Sequence, residues 1–321
     1  MDILVVGASS IFCRRVLPAL LSLDGIGRIH VASSRPAVEI EMPAARRGRF
    51  FHGYETALRE LPPCLAYISL PNSLHGEWVG RALSAGFHVV VDKPAFLDLA
   101  EAESMLALAR EKQRCLAEAA VWSFHPQVKQ AREAFLRNGS EPHVIQSIFS
   151  FPPLPNSNFR NNPKLGGGSF HDLGAYAVSP GRVFFGDEPI DVWCRISERD
   201  ETLGIDTGFA FTAMYSRGRV SQGFFSFGTE YKNSLTVLGR NTSVMLEPVF
   251  TLPPGMASNL TIRALNKTEI VAVPPGDSFA IFFGELIASI ETGQWSRWPE
   301  ILRQDINVLH RAATIAGIKK S

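Results

Sequence analysis

The sequence lacks three features that would point to particular classes of protein: paired cysteines, long apolar runs and an excess of charge of one sign. Only four of the 321 residues are cysteines, and they stand singly in the chain. No CxxC pair or Cys/His spacing is typical of a zinc site, so we predict no metal. Isolated thiols in a chain of this length are typical of reduced core residues in a cytoplasmic protein. The four are Cys13, Cys64, Cys115 and Cys194.

The lack of long apolar runs argues against a membrane protein. No stretch approaches the roughly 20 apolar residues that a membrane-spanning helix needs. The start, MDILVVGASS, enters an apolar strand directly, without the basic residues that open a signal peptide. We therefore expect a cytoplasmic protein that has no membrane partner.

The charges of the two signs are balanced. The chain has 32 Lys and Arg residues and 31 Asp and Glu residues, which gives a formal net charge of +1. This balance supplies no broad field that would attract nucleic acid or an anionic membrane. We predict no nucleic-acid partner, and an anionic small molecule would have to be bound by a local site.

The residue pattern changes near residue 122. Before it, short apolar runs such as DILVVGA alternate with helical stretches, which is typical of a doubly wound parallel sheet. After it, segments such as VIQSIFSF have strand character without intervening helices, which predicts a mostly antiparallel sheet. We predict an α/β domain over residues 1–122 and an α+β domain with an open sheet over residues 123–321. The sequence leaves open whether the C-terminal helix packs back on the first domain.

The turn after the first strand, GASSIFCRR, is a candidate phosphate site. The GxGxxG fingerprint of dinucleotide-binding domains places glycines where the backbone approaches the pyrophosphate, and here those positions are Gly7, Ser9 and Phe12. Serine is small and can donate to a phosphate, and a helix starting near Ile11 offers free N–H groups and its positive dipole end. The alternative is an ordinary strand–turn–helix. The candidate cofactor contacts of this turn are Gly7, Ser9, Ser10 and Ile11.

The second strand ends in VASSRP, which contains no acid. An NAD site places Asp or Glu there for the ribose hydroxyls, whereas Ser33, Ser34 and Arg35 suit a 2′-phosphate. If a dinucleotide binds, we therefore expect NADP(H). The alternative is an ordinary polar loop.

The segment ISLPNSLHGEW ends a further strand of the first domain. Leu70 and Asn72 follow this strand and are candidate cofactor contacts. His75 either faces the nicotinamide or simply caps the next helix.

Two later segments carry residues suited to proton transfer. VVVDKP ends an apolar strand with Lys93, which is either a strand stop or an ammonium at the carboxyl edge of a parallel sheet, where α/β enzymes place their chemistry. In GGGSFHDLGAY, Asp172 and Tyr176 are four residues apart and share one face if the segment is helical. An acid, a phenol and a lysine form a plausible proton relay. The alternative for the second segment is a glycine linker followed by an amphipathic helix.

Together these segments resemble the glucose–fructose oxidoreductase/inositol dehydrogenase/rhizopine catabolism (GFO/IDH/MocA) family of NAD(P)-dependent sugar oxidoreductases. The matching features are the glycine turn, LPNSLH, AGFHVVVDKP for the family's AGKHVxxEKP, FHPQV, and GGGSFHDLGAY for its GGGxxxDxGxY/H. Ser9 and Phe12 depart from the family pattern, which has glycine at both positions. GASSIFCRRVLPAL and FSFPPLPNSNFRNNPKLGGG are most similar to the nucleotide-sugar C-3 ketoreductases of deoxysugar biosynthesis.

The resemblance implies an α/β Rossmann domain that binds NADP(H), followed by a substrate-binding and dimerisation domain in a homodimer or homotetramer. It implies reduction of a keto group, at C-3, of a nucleotide-linked keto-deoxysugar, with hydride from NADPH. Tyr176 would donate the proton, and Lys93 would polarise the carbonyl beside the nicotinamide ribose or act as the direct acid. Asp172 would orient the sugar hydroxyls or the lysine.

Three further residues are predicted to contact substrate, and two other functions stay open. Arg160 suits a diphosphate, Trp122 suits stacking on a sugar or base, and Arg14 adds positive charge. The alternatives are an NADP-dependent dehydrogenase of a free sugar or polyol and a non-catalytic dinucleotide-binding sensor. Retention of the lysine, the acid and the phenol argues against the sensor, which needs no proton relay.

Overall fold

A computed structural model describes residues 1–34 and 40–318. The chain divides into two compact units, of which the first comprises Met1–Ala120 and Phe279–Arg303. The second comprises Val121–Ser278 and the segment from Gln304 onward. The predicted limits, 1–122 and 123–321, differ from this division at residues 121 and 122 and over Phe279–Arg303.

The first unit contains a six-stranded parallel sheet in the order β3-β2-β1-β4-β5-β6. β1, β2 and β4 are buried along their whole length, which explains the apolar runs of β1 and β4. The strands are β1 (Ile3–Val6), β2 (Ile29–Ser33), β3 (Arg47–His52), β4 (Leu65–Ile68), β5 (His88–Val91) and β6 (Leu116–Glu118).

The helices of the first unit connect these strands. The first connection starts with a wide π-helical turn, Phe12–Val16, which ends two residues before Pro18. Proline has no N–H to donate, so a regular α-helical hydrogen bond is lost at this point. The α-helices are α1 (Leu17–Leu21), α2 (Tyr54–Glu60), α3 (His75–Ser84) and α4 (Leu99–Glu111).

The second unit contains an eight-stranded sheet in the order β14-β13-β12-β11-β7-β10-β9-β8. Only β7 and β10 pair in parallel, and the other neighbours are antiparallel. The long buried helix α6 packs on β7, β9 and β10. The elements are α5 (Pro126–Arg137), β7 (Pro142–Ser150), α6 (Ser169–Phe185), β8 (Asp191–Asp200), β9 (Ile205–Met214), β10 (Val220–Ser226), β11 (Lys232–Gly239), β12 (Thr242–Leu246), β13 (Ser258–Ala264) and β14 (Lys267–Val273).

Two helices, α7 (Ser278–Glu291) and α8 (Arg297–Ala316), end the described chain. In the first unit, the ring of Phe283 on α7 packs edge-on against Tyr67 of β4, at 5.8 Å between centroids. This packing buries the apolar face of α7 and explains why the helix belongs to the first unit. Across residues 1–34 and 40–318, none of the helices has the length and apolar character needed to cross a membrane.

Candidate active site

The predicted cofactor residues of the first unit lie along one edge of its sheet. Because all six strands are parallel, the segments that follow β1, β2, β4 and β5 emerge at the same edge. The chain runs outward from β1 to β3 and then returns to β4 on the other side of β1. This reversal between β1 and β4 is the switch point where doubly wound sheets bind ligands.

The glycine turn packs closely against the end of β4. Gly7 has a φ of +98°, and a Cβ there would overlap the carbonyl oxygen of Ser69. Phe12, at the third fingerprint position, is fully buried in the core. The turn thus requires glycine at position 7. At the third fingerprint position, where glycine usually allows the helix to approach the sheet closely, the buried ring of Phe12 fills the space instead.

The Ser9 hydroxyl is bonded inside the protein. It lies 2.6 Å from the Ser69 hydroxyl and accepts a hydrogen bond from the Phe12 N–H at 3.1 Å. The Ser69 hydroxyl donates its proton to Asp92, so the hydroxyl of Ser9 must donate to Ser69. The predicted donation from the Ser9 side chain to a phosphate is therefore wrong for this arrangement, because its single proton is already used.

The remaining turn residues are accessible at the surface. Ser10 is exposed and Ile11 is partly exposed. The exposed Arg14 donates from Nε to the carbonyl oxygen of Ser10 at 3.4 Å, which places its guanidinium at the turn. Main-chain groups and positive charge therefore meet where the pyrophosphate is predicted to bind.

The end of β2 fits a phosphate-bearing ribose. Ser33 is buried and Ser34 is exposed, where its Oγ accepts from the Tyr54 hydroxyl at 3.2 Å. Neither serine carries a negative charge that would repel a 2′-phosphate. The third predicted residue, Arg35, lies outside the described residues.

The end of β4 divides into an exposed and a buried part. Leu70 is partly exposed, whereas Asn72 is buried and begins a short 3-10 turn. His75 has no exposed surface, and its Nδ1 and Nε2 lie 2.8 and 2.9 Å from the carbonyl oxygens of Pro94 and Leu70. Burial lowers the pKa of His75. The predicted contact of His75 with the nicotinamide is wrong, because the ring joins two loops instead of facing a ligand.

Lys93 follows β5 on a segment that neighbouring elements hold in place. The Asp92 N–H donates to the Ile68 carbonyl at 3.0 Å, and the Ala95 N–H donates to Glu118 Oε1 at 2.7 Å. The Lys93–Pro94 peptide bond is cis. Lys93 itself is partly exposed. The strand ends at Val91, before the Lys93–Pro94 pair, and the lysine follows it at the carboxyl edge of the sheet, so the two interpretations of this segment are compatible.

In the second unit, the three glycines form the packed start of α6. Gly168 has a φ of +105°, and a Cβ there would overlap the Asp206 carboxylate. The Ser169 hydroxyl and the Phe170 N–H both donate to Asp206 Oδ2 at 2.6 Å. Asp206 on β9 thus satisfies free N–H groups at the helix start, as a capping residue does. The segment is a fixed helix entry and not a linker.

Asp172 and Tyr176 are one turn apart on α6, and Arg160 joins them. The Arg160 Nε lies 2.9 Å from Asp172 Oδ2, and the Arg160 carbonyl accepts from the Gly168 N–H at 2.8 Å. The ring of Tyr176, 8% exposed, packs against Phe149 and Phe250 with centroids 5.2 and 5.0 Å away. The acid and the phenol are therefore held by charge and by aromatic packing.

Trp122 belongs to the core of the second unit. It is 2% exposed, its Nε1 donates to the Ser179 hydroxyl at 2.9 Å, and its ring packs on Phe250. The prediction that Trp122 stacks on a sugar or base is wrong, because neither its face nor its N–H is available. The indole instead supports the same aromatic cluster that holds Tyr176.

Sequence reasoning missed the polar residues that support the predicted ones. Tyr67 and Ser69 donate to Asp92, the residue before Lys93, and Asp206 fixes the start of α6. Asp92 had a signal, since a carboxylate after three apolar residues is unusual in a buried strand. Nothing in the sequence around Tyr67 or Asp206 indicated their roles, because their hydrogen-bond partners are distant in the sequence.

A parallel sheet with a glycine turn at its switch point defines the first unit as a dinucleotide-binding Rossmann domain. Residues 1–120 match the profile of an oxidoreductase family with an NAD-binding Rossmann fold, and residues 138–245 match the GFO/IDH/MocA C-terminal domain. The chain belongs to the GFO/IDH/MocA family and is an NAD(P)-dependent oxidoreductase. The predicted family and fold class are confirmed.

Relatives with assigned activities match nearly the whole chain. The chain is 28% identical over 312 residues to a dTDP-3,4-didehydro-2,6-dideoxy-α-D-glucose 3-reductase of Actinomadura kijaniata, with 92% of this chain and 90% of that protein covered. It is 29% identical over 303 residues to D-xylose 1-dehydrogenase (NADP⁺) 2 of Haloferax volcanii, with 91% and 90% covered.

A solved structure has the same fold over the same length. The crystal structure of KijD10, a 3-ketoreductase from Actinomadura kijaniata in complex with NADP and TDP-benzene, superposes with a TM-score of 0.89 at 26% identity. The match covers 98% of both chains. Both units of this chain therefore have counterparts in that enzyme.

Proposed function

We propose that this protein reduces a keto group, at C-3, of a nucleotide-linked keto-deoxysugar, with NADPH as cofactor. The observation that carries the proposal is the arrangement on α6, where Asp172 and Tyr176 lie one turn apart and Arg160 is paired with the acid. Similarity along the whole chain to a 3-ketoreductase supports the substrate class.

The cofactor proposal depends on the tips of β1 and β2. The exposed turn at Ser10 offers main-chain groups to a pyrophosphate, and Ser33 and Ser34 leave room for the charge of a 2′-phosphate. NADPH, when bound, supplies the hydride. The match to a structure containing NADP supports the same choice.

The proton-transfer roles are assigned to three residues. Tyr176 donates the proton to the alkoxide that forms from the carbonyl, since a phenol can both donate and accept. Lys93 polarises the carbonyl oxygen and stabilises the developing negative charge. Asp172 orients the sugar hydroxyls. Arg160 holds Asp172 by the ion pair, and its predicted contact with a diphosphate stays a prediction.

A second candidate is an NADP-dependent dehydrogenase of a free sugar or polyol. The similarity to a D-xylose 1-dehydrogenase, at 29% identity, supports this second candidate. The identity to the 3-reductase is almost the same, at 28%, so sequence identity does not favour either candidate. The same lysine, acid and phenol would serve both reactions. The substrate panel below separates the two.

The first experiment measures binding of NADPH and of NADH by fluorescence of the reduced nicotinamide, then turnover by its absorbance. We expect tighter binding of NADPH and oxidation of NADPH with dTDP-3,4-didehydro-2,6-dideoxy-α-D-glucose, called the dTDP-ketosugar below. Turnover of D-xylose or inositol with NADP⁺, and none of the dTDP-ketosugar, would replace the first candidate by the second. Failure to bind either dinucleotide would remove both.

We also propose that the protein forms a homodimer or homotetramer through the outer face of its second sheet. This face carries Ile148, Trp193 and Met245, with 40, 47 and 41% of their surfaces exposed. Exposed apolar side chains on a sheet face are typical of subunit interfaces. Light scattering coupled to gel filtration should give an oligomer, and Trp193→Glu should shift it towards the monomer. A monomeric wild-type protein would contradict the assignment.

A further inference from the structure

A buried amide lies among the apolar residues on the covered face of the second sheet. Asn233 on β11 is 1% exposed, and the buried Leu235 and Val237 follow it on the same face. Asn233 pairs in register with Phe149 of β7, so the two side chains lie side by side on that face. A buried polar residue is uncommon at such a position, and its hydrogen bonds should explain it.

All four hydrogen-bonding positions of this amide are used. Oδ1 accepts from the N–H groups of Val249 and Phe250 at 3.1 and 2.8 Å. Nδ2 donates to the hydroxyls of Thr251 and Tyr231 at 3.1 and 3.2 Å. Because two main-chain donors face one atom of the amide, that atom must be the oxygen. Asn233 thus binds three consecutive residues of the chain and holds them in one orientation.

The segment that Asn233 holds is irregular but buried. It lies between β12 and β13, and Val249 and Phe250 are 1% and 4% exposed. The buried Gln127 of α5 donates from Nε2 to the carbonyl oxygens of Pro248 and Val249, at 3.3 and 3.4 Å. Buried main-chain groups outside helices and strands need such partners, because leaving them unpaired is costly. Two amide side chains therefore fix the path of this segment.

Phe250 links this segment to Tyr176. The centroid of its ring lies 5.0 Å from that of Tyr176 and 5.6 Å from that of Phe149, which is itself 5.2 Å from Tyr176. The phenol ring is therefore bounded by one aromatic ring from a strand and by another from the segment that Asn233 holds. Helix α6 fixes the main chain of Tyr176, whereas these two rings limit the rotation of its side chain.

We propose that Asn233 is a positioning residue for Tyr176 and acts through Phe250. The inference rests on the proposed role of Tyr176 as proton donor and goes beyond it, because it assigns what keeps the phenol hydroxyl in place. If the segment loosens, the Phe250 ring moves and the phenol ring can turn. A displacement of about 1 Å can slow a reaction between aligned groups by as much as about 10²-fold.

The test follows the Tyr176 ring directly, without substrate or cofactor. Protein that contains 3-fluorotyrosine gives a fluorine NMR signal for each of the five tyrosines, and Tyr176→Phe identifies its signal by the loss of that signal. In Asn233→Ala we expect the Tyr176 signal to shift or broaden, because its contact with the Phe250 ring changes. Asn233→Asp should restore it, since a carboxylate accepts from both N–H groups and from the two hydroxyls. The signal of Tyr54, in the first unit, is the internal reference.

Further variants test the route through Phe250. Phe250→Leu removes the ring but keeps the main-chain N–H that Asn233 binds, and it should move the Tyr176 signal as Asn233→Ala does. In the double variant Asn233→Ala/Phe250→Leu the two losses of kcat should not add, because one residue acts through the other. If Asn233→Ala does not fold, Asn233→Ser replaces it, because its hydroxyl retains one acceptor, and the signal should move in the same direction. Asn259→Ala, at an exposed position of β13, is the control and should change neither signal nor kcat.

Turnover is the second measurement. With NADPH and the dTDP-ketosugar, Asn233→Ala should lower kcat about 10-fold with KM within about twofold of wild type, and Asn233→Asp should recover most of the loss. An unchanged Tyr176 signal in folded Asn233→Ala or Asn233→Ser overturns the inference whatever the activity. A moved signal with unchanged kcat also overturns it. A moved signal, when neither wild type nor any variant turns over the dTDP-ketosugar, supports the inference and removes the proposed substrate instead.

Discussion

The Nε of Arg160 lies 2.9 Å from Oδ2 of Asp172, and the two side chains are 31% and 9% exposed. The carboxylate is therefore a mostly buried charge whose partner reaches it from the loop before α6. Charge-assisted hydrogen bonds of this kind are stronger than neutral ones and fix the geometry of both groups. The arginine that the sequence predicts for a diphosphate thus has a partner on the helix that carries Tyr176.

Replacing Arg160 should affect turnover more than nucleotide binding. Arg160→Gln leaves Asp172 without its cation, and we expect kcat for the dTDP-ketosugar to fall about 10²-fold through misplacement of the acid. Arg160→Lys should retain part of the activity because it retains the charge. The inhibition constant of dTDP, measured in the same assay, should stay near that of wild type. If only dTDP binding weakens, the arginine serves the diphosphate instead.

Removing the proposed proton-transfer groups should abolish most turnover. Lys93→Ala and Tyr176→Phe should each lower kcat by about 10²-fold or more, because general acid catalysis contributes on that order. Tyr176→Phe keeps the ring against Phe149 and Phe250, so the variant should remain folded, which urea unfolding checks. Near-normal kcat in both variants would contradict the proposed roles.

The fold was predictable because its signals are local. Unbroken apolar runs such as ILVV and VVV mark strands covered on both faces, and the four-residue spacing of Asp172 and Tyr176 marks one helix face. The placement of Lys93 at a strand tip follows from the apolar run that precedes it. These features depend on neighbours within a few residues, which the sequence displays.

The supporting contacts were not predictable because they join distant segments. Ser9 resembles a phosphate donor until Ser69, 60 residues away, takes its proton. Trp122 resembles a stacking platform until Ser179, 57 residues away, takes its indole N–H. An aromatic or hydroxyl side chain has the same local pattern whether its partner is a ligand or the protein's own core.

The pairing of Trp122 with Ser179 should matter for stability and little for substrate binding. Ser179→Ala leaves a buried indole N–H without its acceptor, and we expect the free energy of unfolding to fall by about 1–3 kcal/mol. In Trp122→Phe the donor is absent, so adding Ser179→Ala to it should cost less than it does in wild type. Urea unfolding of wild type, the two single variants and the double variant gives the four free energies of this double-mutant cycle. Equal costs in both backgrounds would show that the hydrogen bond contributes nothing.

A histidine of the first unit should make stability depend on pH. The Nδ1 of His88 accepts from the Cys115 N–H at 3.0 Å, so this nitrogen must be unprotonated in the folded protein. Burial, and then the charge of Arg114, lower the pKa of His88 from 6.5 to about 4. At a pH above 6.5, the pKa of histidine in the unfolded chain, His88 is neutral in both the folded and the unfolded state, so it adds no pH dependence to stability. Below it, the unfolded chain binds a proton that the folded protein rejects, so stability falls as the pH falls towards the folded pKa.

The comparison of wild type with His88→Asn measures this effect. Asparagine keeps an acceptor near the Cys115 N–H but cannot be protonated, so its stability should change less over this pH window. Between pH 7 and about pH 5, wild type should lose about 1–2 kcal/mol more of its free energy of unfolding than the variant does. Urea unfolding at the two pH values supplies both numbers. Equal losses would mean that His88 takes up its proton in the folded state as readily as in the unfolded chain, and that the Cys115 hydrogen bond does not hold it neutral.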